Sequence, residues 1–215
     1  MDFISSDLAS YIEQHTSKES ELLHQLNRET HLKVLIPRML SGHLQGRVLS
    51  MFSHMIKPKN ILEIGTYTGY SAICLSEGLA VGGVIDTVDI NEELTPIITK
   101  YWEKAGIIDS VQLHLGNALD IIPRLNKAYD LVFIDADKEN YSAYYDLVFK
   151  KMPVGGIILA DNVLWSGNVL QEPNEMTEST KAIVDFNTKV QNDSRVENVL
   201  MPIRDGLMVL RKISD

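Results

Sequence analysis

Cysteine is nearly absent: Cys74 stands alone in 215 residues. No internal disulfide can form, so a reducing compartment, the cytoplasm, is the expected setting. Zinc-type chemistry has little to draw on, because the six histidines are scattered and form no Cys/His cluster. No apolar run reaches the ~18 residues of a membrane span. Residues 1–7 lack the basic and apolar regions of a secretory signal, so no membrane association is expected. Positive charge is also short. Twenty Lys and Arg face 29 Asp and Glu, a net charge of −9. A surface of that sign repels a phosphate backbone, and no Lys/Arg cluster with interleaved aromatics offsets it, so no nucleic-acid partner is expected. No repeat, low-complexity tract or Pro/Gly/Ser linker divides the chain. One structural domain is expected, long enough to bury both faces of a sheet.

What is present is an order of elements. Residues 1–57 show helical spacing, in Leu22, Leu23 and Leu26 and again in Val48, Met51, Phe52 and Met55. Pro37 and Ser41-Gly42 interrupt them. This segment reads as a helical extension covering the remainder, 58–215. From Asn60, short apolar runs alternate with helical stretches. Strands are expected at 61–64, 84–88, 111–115, 131–134 and 157–160, and helices at 70–79, 92–105 and 139–151. The alternation specifies an α/β fold with a parallel sheet and helices on both faces. Runs at 196–202 and 207–210 flank Arg204-Asp205-Gly206, a hairpin signal that makes the last strand antiparallel. A seven-stranded, mostly parallel sheet with that ending is Rossmann-like, in its class I methyltransferase variant rather than the dehydrogenase one. Ligand chemistry then belongs just beyond the carboxyl ends of the strands.

Glu63-Ile64-Gly65-Thr66-Tyr67-Thr68-Gly69-Tyr70-Ser71 follows the first strand. Its glycines allow a sharp turn and close approach of backbone to ligand. Gly65 and Gly69 stand four apart with Tyr67 between them, so the Gly-x-Gly-x-x-Gly cradle of a nicotinamide-dependent oxidoreductase is absent. Asp89 ends the second strand, where a carboxylate can accept from both hydroxyls of a ribose. Its competing role is a helix cap, which Asn91 fills equally well; Asp86 is a weaker rival acceptor in the same strand. Asp135 ends the fourth strand in Phe133-Ile134-Asp135-Ala136-Asp137-Lys138, and Asp161-Asn162 end the fifth. Adjacent strands would join two carboxylates and an amide carbonyl, all oxygen donors suited to Mg²⁺, Ca²⁺ or Mn²⁺. About half of an octahedral shell stays open for two substrate oxygens and a water. The competing role for these acids is capping of loops at strand ends.

These runs, together with Asp161-Asn162-Val163-Leu164-Trp165-Ser166-Gly167, resemble the cation-dependent O-methyltransferases, the family of the catechol and caffeoyl-CoA enzymes. The resemblance spans 38–211 and is to a bacterial-type member. It implies S-adenosylmethionine as methyl donor, with 58–215 as the domain that binds it. Glu63, Gly65, Thr66, Tyr67 and Ser71 would hold the methionine part and form the surrounding loop. Asp89 would bind the ribose, the backbone of Ala118 would meet the adenine, and Asp137 would lie near the cofactor amine. Met39, Leu40 and Ser41 match the segment that covers the cofactor. Asp135, Asp161 and Asn162 would be the metal ligands. Lys138 would be the base, with Asp135 beside it in the catalytic group. Met39 and Trp165 would wall an aromatic pocket shared with Lys138, Asn162 and Ser166, although ordinary core packing suits Met39 and Trp165 as well. His43 reads as a capping or surface residue. Chelation would stabilise the phenolate of a phenol whose free pKa is about 10, and Lys138, kept neutral by the nearby cation and burial, would take the phenol's proton.

The loop Asp135-Ala136-Asp137-Lys138 follows the plant and bacterial pattern, not the His-Trp variant of the animal catechol enzyme. Ser166 stands where plant caffeoyl-CoA enzymes tend to have Asn. Arg38-Met39-Leu40-Ser41-Gly42-His43 is closer to the animal catechol enzyme. The expected acceptor is a small catechol-like aromatic diol; a tRNA wobble hydroxyuridine is the alternative. The resemblance also implies a homodimer, for which the apolar N-terminal helices could supply the interface.

Overall fold

The structure is a computed structural model that describes residues 4–215, so the first three residues of the 1–57 segment lie outside the described residues. Five apolar runs form the parallel part of one sheet: β1 (Asn60–Ile64), β2 (Val84–Asp89), β3 (Val111–Leu115), β4 (Leu131–Ile134) and β5 (Ile157–Asp161). β4 reads as an unbroken apolar run because it is buried on both faces. β6 (Val196–Met201) and β7 (Leu207–Lys212) form the expected hairpin, and β7 lies antiparallel beside β5. The strand order is β3-β2-β1-β4-β5-β7-β6. It reverses between β1 and β4, which opens a crevice at the carboxyl ends of the strands. Register sharpens this. Ile64 pairs with Val88 and with Ile134, and Ile134 pairs with Ala160. The next residue on each strand or loop, namely Gly65, Asp89, Asp135 and Asp161, therefore falls along one rim.

Helices α1 (Ser6–Gln14), α2 (Glu21–Lys33) and α3 (Gly42–Ile56) precede the sheet. The others are α4 (Tyr70–Ser76), α5 (Thr95–Ala105), α6 (Ala118–Ile121), α7 (Tyr141–Phe149) and α8 (Glu178–Gln191). One face of the sheet is covered by α2 to α5, through Leu23, Leu26, Leu49, Tyr70 and Trp102 packed with Phe133. The other is covered by α7 and α8, through Tyr141, Tyr145, Val148, Ile183 and Phe186. The α2–α3 pair thus shares the sheet's own core.

Helix limits differ from the periodicity in three places. The 70–79 stretch is helical only to Ser76. The 92–105 stretch opens as a tight turn, Glu92–Leu94, before α5, with Pro96 in the first turn where its missing N–H costs nothing. Lys138–Asn140 is a tight turn, and α7 begins after it. α8 has no counterpart among the expected elements. Among the described residues, no helix is long and apolar enough to cross a membrane.

Candidate active site

Gly65 leaves β1 with φ +103°, and a Cβ there would overlap the carbonyl oxygen of Asp135. Glycine is required because the β1 and β4 loops touch at this point. Tyr67 also takes a left-handed conformation, φ 48°. Its backbone N–H donates to Asp89 Oδ2 at 2.7 Å, and the N–H of Asn91 donates to Oδ1 at 2.9 Å. The capping role falls to Asn91, whose side chain accepts from Glu93 N–H. Asp89 is left half-buried on the cleft wall. Its rival Asp86 is buried elsewhere, against Lys127 (2.7 Å), His114 (2.8 Å) and the Tyr129 hydroxyl (3.0 Å). Ala118 opens α6 on the same wall as Asp89.

Leu40, Glu63, Thr66 and Ser71 are buried and do not line the open cleft. Thr66 and Thr87 share a hydrogen bond of 2.6 Å, and Thr87 donates to Glu63 Oε2 at 2.5 Å. Glu63 Oε1 has no partner among the described residues, and burial pushes this carboxyl up to about 7, against the pull of neighbouring hydroxyls. An orphaned acceptor at the floor of the Gly65 loop suits a donor group arriving with a ligand.

Asp135, Asp161 and Asn162 line the neighbouring part of the cleft. Asp161 is 2% exposed. Its Oδ2 accepts from Gln45 Nε2 at 2.7 Å, and its Oδ1 has no partner among the described residues. Burial first, and the Asp135 charge second, push the Asp161 carboxyl well above the usual carboxylate range. A positive ion between the two acids would relieve both effects. Among the described residues, no three His, Cys, Asp or Glu side chains group as a metal site. The candidate set is two carboxylates and an amide, which fits a hard cation that keeps other oxygen ligands.

Lys138 Nζ lies 3.2 Å from Asp135 Oδ1 and donates to the Tyr141 hydroxyl at 2.6 Å. Its Nζ is 5.8 Å from the centre of a Trp165 ring. Asp137 instead accepts from Tyr144 (2.5 Å) and from Asn140. After β5 the chain turns through three left-handed residues, Asn162 (φ 59°), Trp165 (φ 47°) and Ser166 (φ 54°). Such conformations persist where neighbours over-determine them. Here Asp205 accepts from Ser166 N–H (2.5 Å) and Leu164 N–H (2.9 Å), and Gly206 accepts from Val163 N–H. Trp165 lines the cleft and also packs on the α7–α8 core.

Met39 and Ser41 reach the cleft from the covering segment. Met39 is 55% exposed, which excludes core packing for it. Tyr67 donates to the carbonyl of Ile36 at 3.3 Å, tying this cover to the Gly65 loop. His43 is bonded to the Ser17 carbonyl at 2.7 Å. Three site residues lie outside the set read from the sequence: Gln45, Tyr141 and Arg204. Of these, only Gln45 carried a signal, as an amide amid the apolar positions of α3.

An O-methyltransferase family model matches residues 13–213. Caffeoyl-CoA O-methyltransferase 1 of Arabidopsis thaliana is 32% identical, over 98% of this chain and 86% of its own length. Caffeoyl-CoA O-methyltransferase 5 of Nicotiana tabacum is 33% identical, over 92% of this chain and 86% of its own. Among solved structures, the O-methyltransferase from Bacillus cereus in complex with SAH superposes with a TM-score of 0.87 at 27% identity, covering 96% of this chain and 97% of that one. The SAH-bound Podospora anserina methyltransferase gives 0.88 at 26%, covering 97% and 94%. The matched span encloses every site residue from Met39 to Arg204. The chain belongs to the O-methyltransferase family and is an O-methyltransferase.

Proposed function

We propose that the enzyme transfers a methyl group from S-adenosylmethionine to one hydroxyl of a catechol-like diol, with a divalent cation held by Asp135, Asp161 and Asn162. The observation that carries this reading is the unpartnered Oδ1 of Asp161, buried and without a donor beside a second carboxylate. Caffeoyl, in the names of the plant relatives, is itself a catechol group, which supports an ortho-diol acceptor. The SAH-bound neighbours support the methyl donor.

S-adenosylmethionine supplies the methyl group as an electrophile, and the cation supplies charge that favours the ionised acceptor hydroxyl. The chain's own residues do the rest. Asp89 accepts from the ribose hydroxyls while two backbone amides hold its carboxylate still. The Gly65 loop and Glu63 seat the methionine end. Trp165 and Met39 flank the acceptor ring and exclude water. Lys138, acting as the neutral amine and steadied by Tyr141, receives the hydroxyl proton and becomes the ammonium. Orientation of the two reactants in line can account for about 7–11 kcal/mol of the barrier.

An acceptor screen with isotopically labelled S-adenosylmethionine tests this, with and without EDTA, over catechols, caffeoyl esters, flavonoids and tRNA. Catechol methylation that EDTA abolishes and Mg²⁺ restores is expected. Turnover indifferent to EDTA, or labelling of tRNA alone, would overturn the reading.

A further inference from the structure

Three residues distant in sequence meet behind Asp161. Gln45 comes from α3, is 2% exposed, and donates its Nε2 to Asp161 Oδ2. Its Oε1 accepts from Arg204 Nη1 at 2.9 Å. The Arg204 guanidinium, on the β6–β7 turn, also donates to the main-chain carbonyls of Ser41 and Leu40. Arginine has donors only, so the amide oxygen of Gln45 must face it. The amide NH₂ is thereby committed to Asp161. One carboxylate oxygen accepts from Gln45 and, among the described residues, the other is left bare.

We propose that Gln45 and Arg204 are positioning residues that fix the orientation of the Asp161 carboxylate so that its free oxygen faces the cation. The proposal rests on the cation reading above. The same turn grips the other wall of the cleft, since Asp205 accepts from Ser166 and Leu164 N–H. One hairpin therefore sets the Asn162 to Ser166 loop, the start of α3 and the rotamer of Asp161 together. Partners that orient a ligand's second atom in this way change metal affinity by about 10–100-fold when removed.

The test is a Mn²⁺ titration, followed by electron paramagnetic resonance, of the wild type, Gln45→Leu, Arg204→Met, the double variant and Asp161→Asn. Affinity for S-adenosylhomocysteine and the melting temperature are measured alongside. Gln45→Leu is expected to weaken Mn²⁺ by about 10–100-fold and to leave S-adenosylhomocysteine affinity within about twofold. Arg204→Met, on an exposed turn that tolerates the change, weakens Mn²⁺ in the same direction by less. Adding it to Gln45→Leu causes no further loss, because it acts through that amide. Unchanged Mn²⁺ affinity in both single variants, with loss in Asp161→Asn, would overturn the positioning role and leave the cation reading intact. Parallel loss of Mn²⁺, S-adenosylhomocysteine and thermal stability would reduce the pair to packing. A wild type that binds no Mn²⁺ would bring down the cation reading, and this proposal with it.

Discussion

Lys138 Nζ donates to the Tyr141 hydroxyl at 2.6 Å, and that hydroxyl donates onward to the main-chain carbonyl of Asp161 at 3.0 Å. One phenol thus joins the proposed base to the strand end that carries the proposed cation ligand. Burial, followed by the charges of Asp135 and Asp161, pushes the Tyr141 pKa well above 10. The hydroxyl keeps its proton at any working pH and remains a fixed strut.

Lys138→Ala is therefore expected to lower kcat by roughly 10²–10⁴-fold and to leave S-adenosylhomocysteine affinity within about twofold. Tyr141→Phe is expected to lower kcat about tenfold, with stability down by about 1–3 kcal/mol as the Asp161 carbonyl loses its donor. Steady-state kinetics beside isothermal titration separates these effects. Equal loss of turnover and cofactor affinity in Lys138→Ala would make its ion pair with Asp135 structural.

Asp89 offers a different split. Asp89→Ala removes both the proposed ribose acceptor and the partner of the Tyr67 and Asn91 amides. Asp89→Asn keeps one acceptor oxygen for that backbone. Cofactor dissociation constants are expected to rise at least tenfold in the alanine variant and by less in the asparagine variant, with thermal stability falling only in the former. Cofactor binding that survives Asp89→Ala would move the ribose site elsewhere.

The parallel strands, the reversed ending and the acids that close strands, Asp89, Asp135 and Asp161, were legible because each depends on local pattern. An apolar run of four residues followed by an acid, as at 131–135 and 157–161, states both a strand and the position of its end. Helix α8 was not legible in the same way. Its apolar face is only Ile183, Phe186 and Val190 among polar neighbours, and its stability comes from packing on α7. Gln45 stands out in the sequence only as an amide amid apolar positions, and its partner Arg204, 159 residues away, is visible only in the fold. The left-handed turns at Asn162, Trp165 and Ser166 are likewise imposed by Asp205 and Gly206 from another hairpin. No local preference announces them, since non-glycine residues seldom adopt that conformation.

Gly65 and Gly42 make a paired test of the cofactor loop. Both have positive φ, but a Cβ at Gly42 meets open space while one at Gly65 would overlap the Asp135 carbonyl. Gly42→Ala is expected to cost about 1 kcal/mol, the ordinary penalty of that backbone region. Gly65→Ala should cost several times more and abolish cofactor binding, because the β1 and β4 loops must part. Urea melts of the two variants check the ratio; similar losses would mean that the loops are not in firm contact.

Glu63 makes stability depend on pH in a direction opposite to that of most carboxylates. Burial raises its pKa from 4.5 to about 7, so the folded chain holds this proton more tightly than the unfolded chain does. The resulting stability is fully present below about pH 4.5 and is lost as pH rises through 7. At 1.36 kcal/mol per pKa unit the loss amounts to about 3 kcal/mol. A glutamine amide at this position is a permanent mimic of the protonated carboxyl. Glu63→Gln should therefore match the wild type near pH 4.5 and exceed it in stability near pH 8. The comparison cancels the titrating groups that do not interact with Glu63; Asp135 and Asp89, whose charges it feels, respond together with it. Denaturant melts at four or five pH values supply the two curves. Parallel curves would show that Glu63 ionises in the fold as freely as in water, and its buried, unpartnered Oε1 would then need a donor not yet identified.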